Sequence, residues 1–180
     1  MKTTIFLTVT LTLGIFYLLS SFEQKRIMEN TRKAEAVIQS KSGSDVSGTV
    51  SFSERDGKVT MKAIVRGASP GDHAIHIHLT GDCSSEDGTS AGGHWNPTGE
   101  DHGKWNSESF HRGDIGNIKV GKDGERRISR TTDLWCIACE DESRDNLGTA
   151  IIIHAGIDDF STQPSGAAGA RIGCGSIDAR

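Results

Sequence analysis

From Thr80 to Arg112 the chain runs without a sustained apolar period and is full of Gly, Ser, Asp, Asn and His. A stretch of that length without structure of its own is uncommon inside a compact domain unless it carries function. Strand-like segments precede and follow it, so it lies within the fold and has too little apolar content to be ordered by burial. Metal coordination is a physical answer, because ligand bonds can replace a missing core. Such a segment, set among strands, limits the chain to folds that present a long loop to a rigid scaffold.

The scaffold reads as strands. Ala36–Gln39, Gly48–Ser53, Lys58–Arg66 and Ala74–Leu79 come first, divided by turn clusters such as Ser42-Gly43-Ser44-Asp45 and Arg55-Asp56-Gly57. Ile115–Val120 and Glu125–Ser129 flank Lys122-Asp123-Gly124 as a hairpin, and Thr149–His154 and Ala170–Ile177 complete the set. Eight short strands, 22 glycines that suggest many tight turns and no helix pattern in the domain predict an all-β fold, an antiparallel sandwich or Greek-key barrel. The length suits one such domain plus a targeting segment.

That segment is at the N-terminus. Met1 and Lys2 precede a charge-free stretch from Thr3 to Phe22 rich in Ile, Leu, Phe and Val. Residues 1–22 read as an export signal. No A-x-A-like cleavage site follows, and about 20 apolar residues also suffice to span a bilayer, so a retained membrane anchor is the alternative. Residues 23–33 are polar and mixed in charge and read as a spacer, which puts the folded domain at 34–180. Four cysteines in an exported chain are expected to pair, and the periplasm or cell envelope is the compartment implied. With a formal net charge of −4 and no run of Lys and Arg, nothing recommends nucleic acid as a partner.

The seven histidines carry the chemistry. His76 and His78 are two apart on a β-branched strand, so both rings take one face while Ile77 takes the other. Alone, that pair is equally compatible with a solvated strand face. His94, His102, His111 and Asp114 fall in or just after the aperiodic segment, and His154 closes the apolar run Ala150-Ile-Ile-Ile-His. Imidazole suits copper and zinc, and a carboxylate is more natural on zinc.

At these residues the sequence resembles the copper/zinc superoxide dismutase family. The resemblance is carried by His76-Ile-His78, Ser90-Ala-Gly-Gly-His94-Trp-Asn-Pro, Asp101-His102-Gly, His111-Arg-Gly-Asp114-Ile-Gly-Asn, His154 with Asp158-Asp159, and Gly166-Ala-Ala-Gly-Ala-Arg171-Ile-Gly-Cys174-Gly. It implies disproportionation of superoxide to oxygen and hydrogen peroxide by a redox-cycling copper beside a zinc ion. It further implies copper on His76, His78, His94 and His154 and zinc on His94, His102, His111 and Asp114, with His94 bridging and carrying a proton. Arg171 matches the arginine that attracts the superoxide anion, Asp158 the aspartate linking ligands of the two metals, and His73 a position that is not a ligand. Cys174 sits where the family places one end of a disulfide, which makes Cys83 its partner, a placement like that of bacterial exported members.

Two departures stand out. Cys136-Ile-Ala-Cys139 is absent from the best-known members; a local disulfide is the plainer reading and a redox or extra metal role the other. Between Asp159 and Gly166, where longer members carry a charged steering loop, this chain has the uncharged Phe160-Ser-Thr-Gln-Pro-Ser165. Steering is then left to Arg171, the metals and residues elsewhere, such as Lys104, Arg112 or Lys119. Rival readings are an idle metal-binding module or copper carrier of the same fold, a copper-only dismutase, and a structural surface sandwich. Monomer and homodimer both occur among exported members and stay open.

Overall fold

The alternation of apolar residues along the strands also sets how they pair. The computed structural model describes residues 31–180. Its strands, in chain order, are β1 (Arg32–Ser40), β2 (Ser47–Arg55), β3 (Lys58–Arg66), β4 (Gly71–His78), β5 (Gly116–Val120), β6 (Glu125–Thr132), β7 (Ala150–His154), β8 (Arg171–Ser176) and the short β9 (Asp178–Ala179). The one helical piece among the described residues is a 3-10 turn, Thr89–Ala91. The strands pair in the order β5-β4-β7-β8-β1-β2-β3-β6, with β9 on β1. Neighbours distant in sequence, β4 with β7 and β8 with β1, mark Greek-key crossovers, and the eight main strands form a nearly closed antiparallel barrel.

Register puts apolar residues opposite one another. Ala34 faces Phe52 and Ala36 faces Val50, Phe52 faces Met61, and on the other wall Ile75 faces Ile153 and Ile77 faces Ile151. All lie in one buried cluster. Trp135 adds its ring edge-on to Phe52, centroids 6.2 Å apart, which seats the loop after β6 on the core.

The second face of β4 is buried as well. His76 is opposite Ile152 and His78 opposite Ala150, and Ile152, Ala150 and Cys174 form a small separate cluster with Ala91 from the long segment. That segment therefore covers the outside of β4, β7 and β8, and the strand carrying His76 and His78 is enclosed on both sides.

The structure lengthens some sequence-derived strands and shortens others, with β4, β5, β7 and β8 leaving out Leu79, Ile115, Thr149, and Ala170 and Ile177, respectively, at their ends. β1 begins at Arg32, two residues inside the segment read as spacer, because Arg32 and Lys33 pair with Glu54 and Ser53 and the Arg32 guanidinium donates to Ile137 O (3.0 Å). Charged strand ends held by backbone pairing leave no apolar signature. The same applies to β4, which starts at Gly71, and to β6, which continues to Thr132. The signal or anchor expected at 1–22 lies outside the described residues, as does most of the spacer.

Two disulfides are present, Cys83–Cys174 across 91 positions and Cys136–Cys139 across 3. The first ties the long segment to β8. In the chain-entropy model, closing the long loop removes about 4 to 5 kcal/mol of unfolded-state freedom and closing the short one about 2. Replacing Cys83 and Cys174 together by Ser is therefore expected to cost about 2 to 3 kcal/mol more than replacing Cys136 and Cys139 together. Denaturant unfolding of the metal-free protein measures the difference, and equal losses would refute it.

Candidate metal centre

Backbone pairing delivers each ligand-type side chain. His76 and His78 share the face of β4 opposite Ile75 and Ile77. His154 ends β7 on the same face, and there the register slips: Ile153 pairs with Gly173 but His154 with Arg171, so Ile172 is an extra residue and Arg171 is set across from His154. His94 reaches β4 by bridging to His78, fixed by Leu79 N–H to Gly93 O (2.9 Å) and Trp95 N–H to Ile77 O (2.8 Å). His111 and Asp114 close a turn on each other, with Asp114 N–H donating to His111 O (3.0 Å) and His111 N–H to Asp114 Oδ2 (2.8 Å).

Two groups of four result: His76, His78, His94 and His154, and His94, His102, His111 and Asp114, with the ligand atoms of each group within 4.8 Å of one another. His94 belongs to both, and its side chain is 2% exposed.

The hydrogen bonds show which nitrogens are available. His78 Nδ1–H donates to Gly92 O (2.9 Å) and His154 Nδ1–H to Gly169 O (3.2 Å). Each ring then presents a bare Nε2, and these two lone pairs face each other at 3.3 Å. His76 donates Nε2–H to Asp158 Oδ2 (2.9 Å) and His102 donates Nε2–H to Asp158 Oδ1 (2.8 Å), which turns both Nδ1 atoms away from Asp158. Both are buried without a hydrogen-bond partner, as is His94 Nε2. His102 Nδ1 lies 3.0 Å from Asp114 Oδ2, near but not aligned for hydrogen bonding. A buried unpaired polar atom costs about 1 to 3 kcal/mol, and converging lone pairs repel. A cation at each focus relieves both, and the donors, imidazoles in one group and imidazoles plus a carboxylate in the other, fit copper and zinc.

Charge follows the same division. In the metal-free protein, burial pushes His78 down to about 2, His94 to about 4 and His154 to about 3, so these rings are neutral and their lone pairs free at neutral pH. Burial also opposes charge on His102, but the adjacent carboxylates of Asp114 and Asp158 outweigh it and hold the ring up at about 9. For Asp114 and Asp158, burial favours the neutral acid, yet the surrounding histidines hold both well below the usual carboxylate range.

Asp158 is itself held. Asn117 Nδ2–H donates to its carbonyl (2.9 Å) and Asn117 Oδ1 accepts its N–H (2.8 Å). Gly166, at φ +66°, passes so close that an added Cβ would sit 1.9 Å from Asp158 Oδ1, so only glycine fits there.

A cavity of about 390 Å³ opens over His78, His94, His111 and His154. Arg171 is the one Lys or Arg among its described lining residues, and its Nη1–H donates to Gly88 O (2.7 Å). Lys104, Arg112 and Lys119 do not line it, and the Arg112 guanidinium donates instead to Leu134 O (3.0 Å). His73 stands outside both groups, bonded through its ring nitrogens to His154 O (2.9 Å) and Ser69 O (2.8 Å). The sequence assigns no role to Asn117, Gly88 or Gln163, each of which acts on the backbone or guanidinium of a site residue. No spacing rule marks such contacts, which span far-separated positions.

The family model described as Copper/zinc superoxide dismutase (SODC) matches residues 46–177. Among solved structures, the crystal structure of the clock protein EA4 is similar, with a TM-score of 0.72 and 31% identity, covering 83% of this chain and 95% of that one. With the barrel, the two donor groups and this match over most of its length, the chain belongs to the copper/zinc superoxide dismutase family, oxidoreductases whose cofactors are copper and zinc.

Proposed function

We propose that this superoxide dismutase works outside the cytoplasm, with copper on His76, His78, His94 and His154, zinc on His94, His102, His111 and Asp114, and His94 as the bridge. The observation that carries the reading is that two four-residue donor groups share one side chain. When bound, copper supplies a one-electron redox couple and zinc a fixed, redox-inert positive charge. The protein's own part begins at Arg171, whose permanent charge draws the anion into the cavity beside His78 and His154. His94 Nε2, buried and without a hydrogen-bond partner, takes up a proton and releases it to the departing peroxide, while Nδ1 stays on the Asp114 side, 2.8 Å from Oδ1. Asp158 holds the tautomers of His76 and His102 by accepting from both. Over the two half-reactions, two superoxide ions and two protons become one oxygen and one hydrogen peroxide. Two disulfides with no free cysteine among the described residues, and the charge-free N-terminal stretch, support an oxidising compartment.

Reconstituted full-length protein is expected to contain one copper and one zinc per chain and to consume superoxide. Elemental analysis with a superoxide assay tests this, and copper without zinc would favour a copper-only enzyme.

A further inference from the structure

The loop between Asp159 and Gly166 carries no charge with which to steer an anion, but it is tightly built. Asp159 Oδ1 accepts the N–H groups of Ser161 (2.9 Å) and Thr162 (2.8 Å), and Asp159 Oδ2 accepts the Thr162 hydroxyl (2.5 Å). Backbone bonds from Asp159 N–H to Gly166 O (3.0 Å) and from Gly166 N–H to Thr162 O (2.7 Å) close the turn. This brace carries the side chain of Gln163 to the peptide of His102. Gln163 Oε1 accepts His102 N–H (2.8 Å) and Gln163 Nε2–H donates to His102 O (2.9 Å).

A carboxamide that satisfies both polar groups of one residue stands in for a neighbouring strand, fixing the position and tilt of that backbone. His102 needs such a substitute because no strand or helix includes it. Its ring lies two rotatable bonds from the backbone, so holding the backbone fixes where Nδ1 points once Asp158 has taken Nε2. Asn117 clasps the backbone of Asp158 in the same way, so each end of the His102–Asp158 hydrogen bond is anchored by a carboxamide.

We propose that Gln163 is a positioning residue for the zinc half of the centre, and that the shortened loop serves to hold His102. The proposal rests on His102 being a zinc ligand, as read above. In the full chain, Gln163→Leu removes both hydrogen bonds at similar volume, and Gln163→Glu keeps the acceptor while losing the donor. Zinc affinity is read by competition with a chromophoric chelator, geometry by the absorption spectrum of cobalt(II) in place of zinc, and fold by thermal unfolding of the metal-free protein. Gln163→Leu is expected to weaken zinc binding about 10- to 100-fold and to alter the cobalt spectrum, with a smaller loss in Gln163→Glu. The metal-free unfolding temperature should move little. Zinc affinity within about twofold of wild type in Gln163→Leu, or in Gln163→Glu should the leucine variant not fold, overturns the proposal. So does an equal drop in the unfolding temperatures of the metal-free and zinc-loaded forms with affinity unchanged. Failure of the wild type to bind zinc would instead bring down the ligand assignment itself, and Gln163 with it.

Discussion

His154→Ala is expected to lose superoxide activity by more than about 100-fold while keeping its zinc, because removing a ligand should exceed the 10- to 100-fold effect of disturbing a ligand's partner. The structure makes His154 a cleaner probe than His76. The Nε2 of His76 is bonded to Asp158 Oδ2 (2.9 Å), whose other oxygen holds His102 at 2.8 Å, so truncating His76 also disturbs the second donor group. His154 bonds to Gly169 O and faces His78, with no contact of its own to Asp158 or Asp114. Its loss should lower copper content, leave zinc content at wild-type level and leave the barrel folded. Metal analysis alongside the superoxide assay decides the matter. Full activity in the variant would overturn the copper set, and parallel loss of zinc would show that the two halves are not separable at this residue.

Arg171→Ala is expected to keep both metals and lose at least tenfold in the rate constant for superoxide, equivalent to about 1.4 kcal/mol of transition-state stabilisation. Arg171 is in neither donor group but is the one cation among the described residues lining the cavity. Its bond to Gly88 O holds the guanidinium, so an incoming anion meets a placed charge. Added salt should slow the wild type more than the variant, since screening acts over a Debye length of about 8 to 10 Å near physiological ionic strength. Because the loop before Gly166 contributes no charge, most of the salt dependence should disappear with Arg171. Unchanged rate and salt response at unchanged metal content would remove Arg171 from the mechanism and favour a metal carrier.

Much of the fold was legible because strand periodicity is local. β3 coincides with its sequence-derived span, and the other seven main strands overlap theirs, with ends that run further where polar residues are held by pairing, as in β1, and stop short at Leu79, Ile115, Thr149, Ala170 and Ile177. The two-residue β9 and the 3-10 turn at Thr89–Ala91 escaped notice, since neither has a period long enough to detect. The candidate metal-binding residues stand out for a different reason. A metal needs particular donor atoms, and His-Ile-His on a strand, or histidines in a stretch unable to form a core, stand out by type and position.

Local patterning is enough to define the kind of molecule: an antiparallel all-β scaffold, a loop needing bonds other than apolar burial, and the side chains able to supply them. How those side chains meet depends on packing between distant segments. The extra residue Ile172, which sets Arg171 across from His154, is a property of two strands and cannot be read from either. The choice of Nδ1 on His76 and His102 and Nε2 on His78 and His154 follows from acceptors supplied by Asp158, Gly92 and Gly169. Asp158 lies 82 positions from His76 and 56 from His102. Periodicity and residue type act over a few neighbours, whereas lone pairs are aimed by hydrogen bonds that exist only once distant segments have packed.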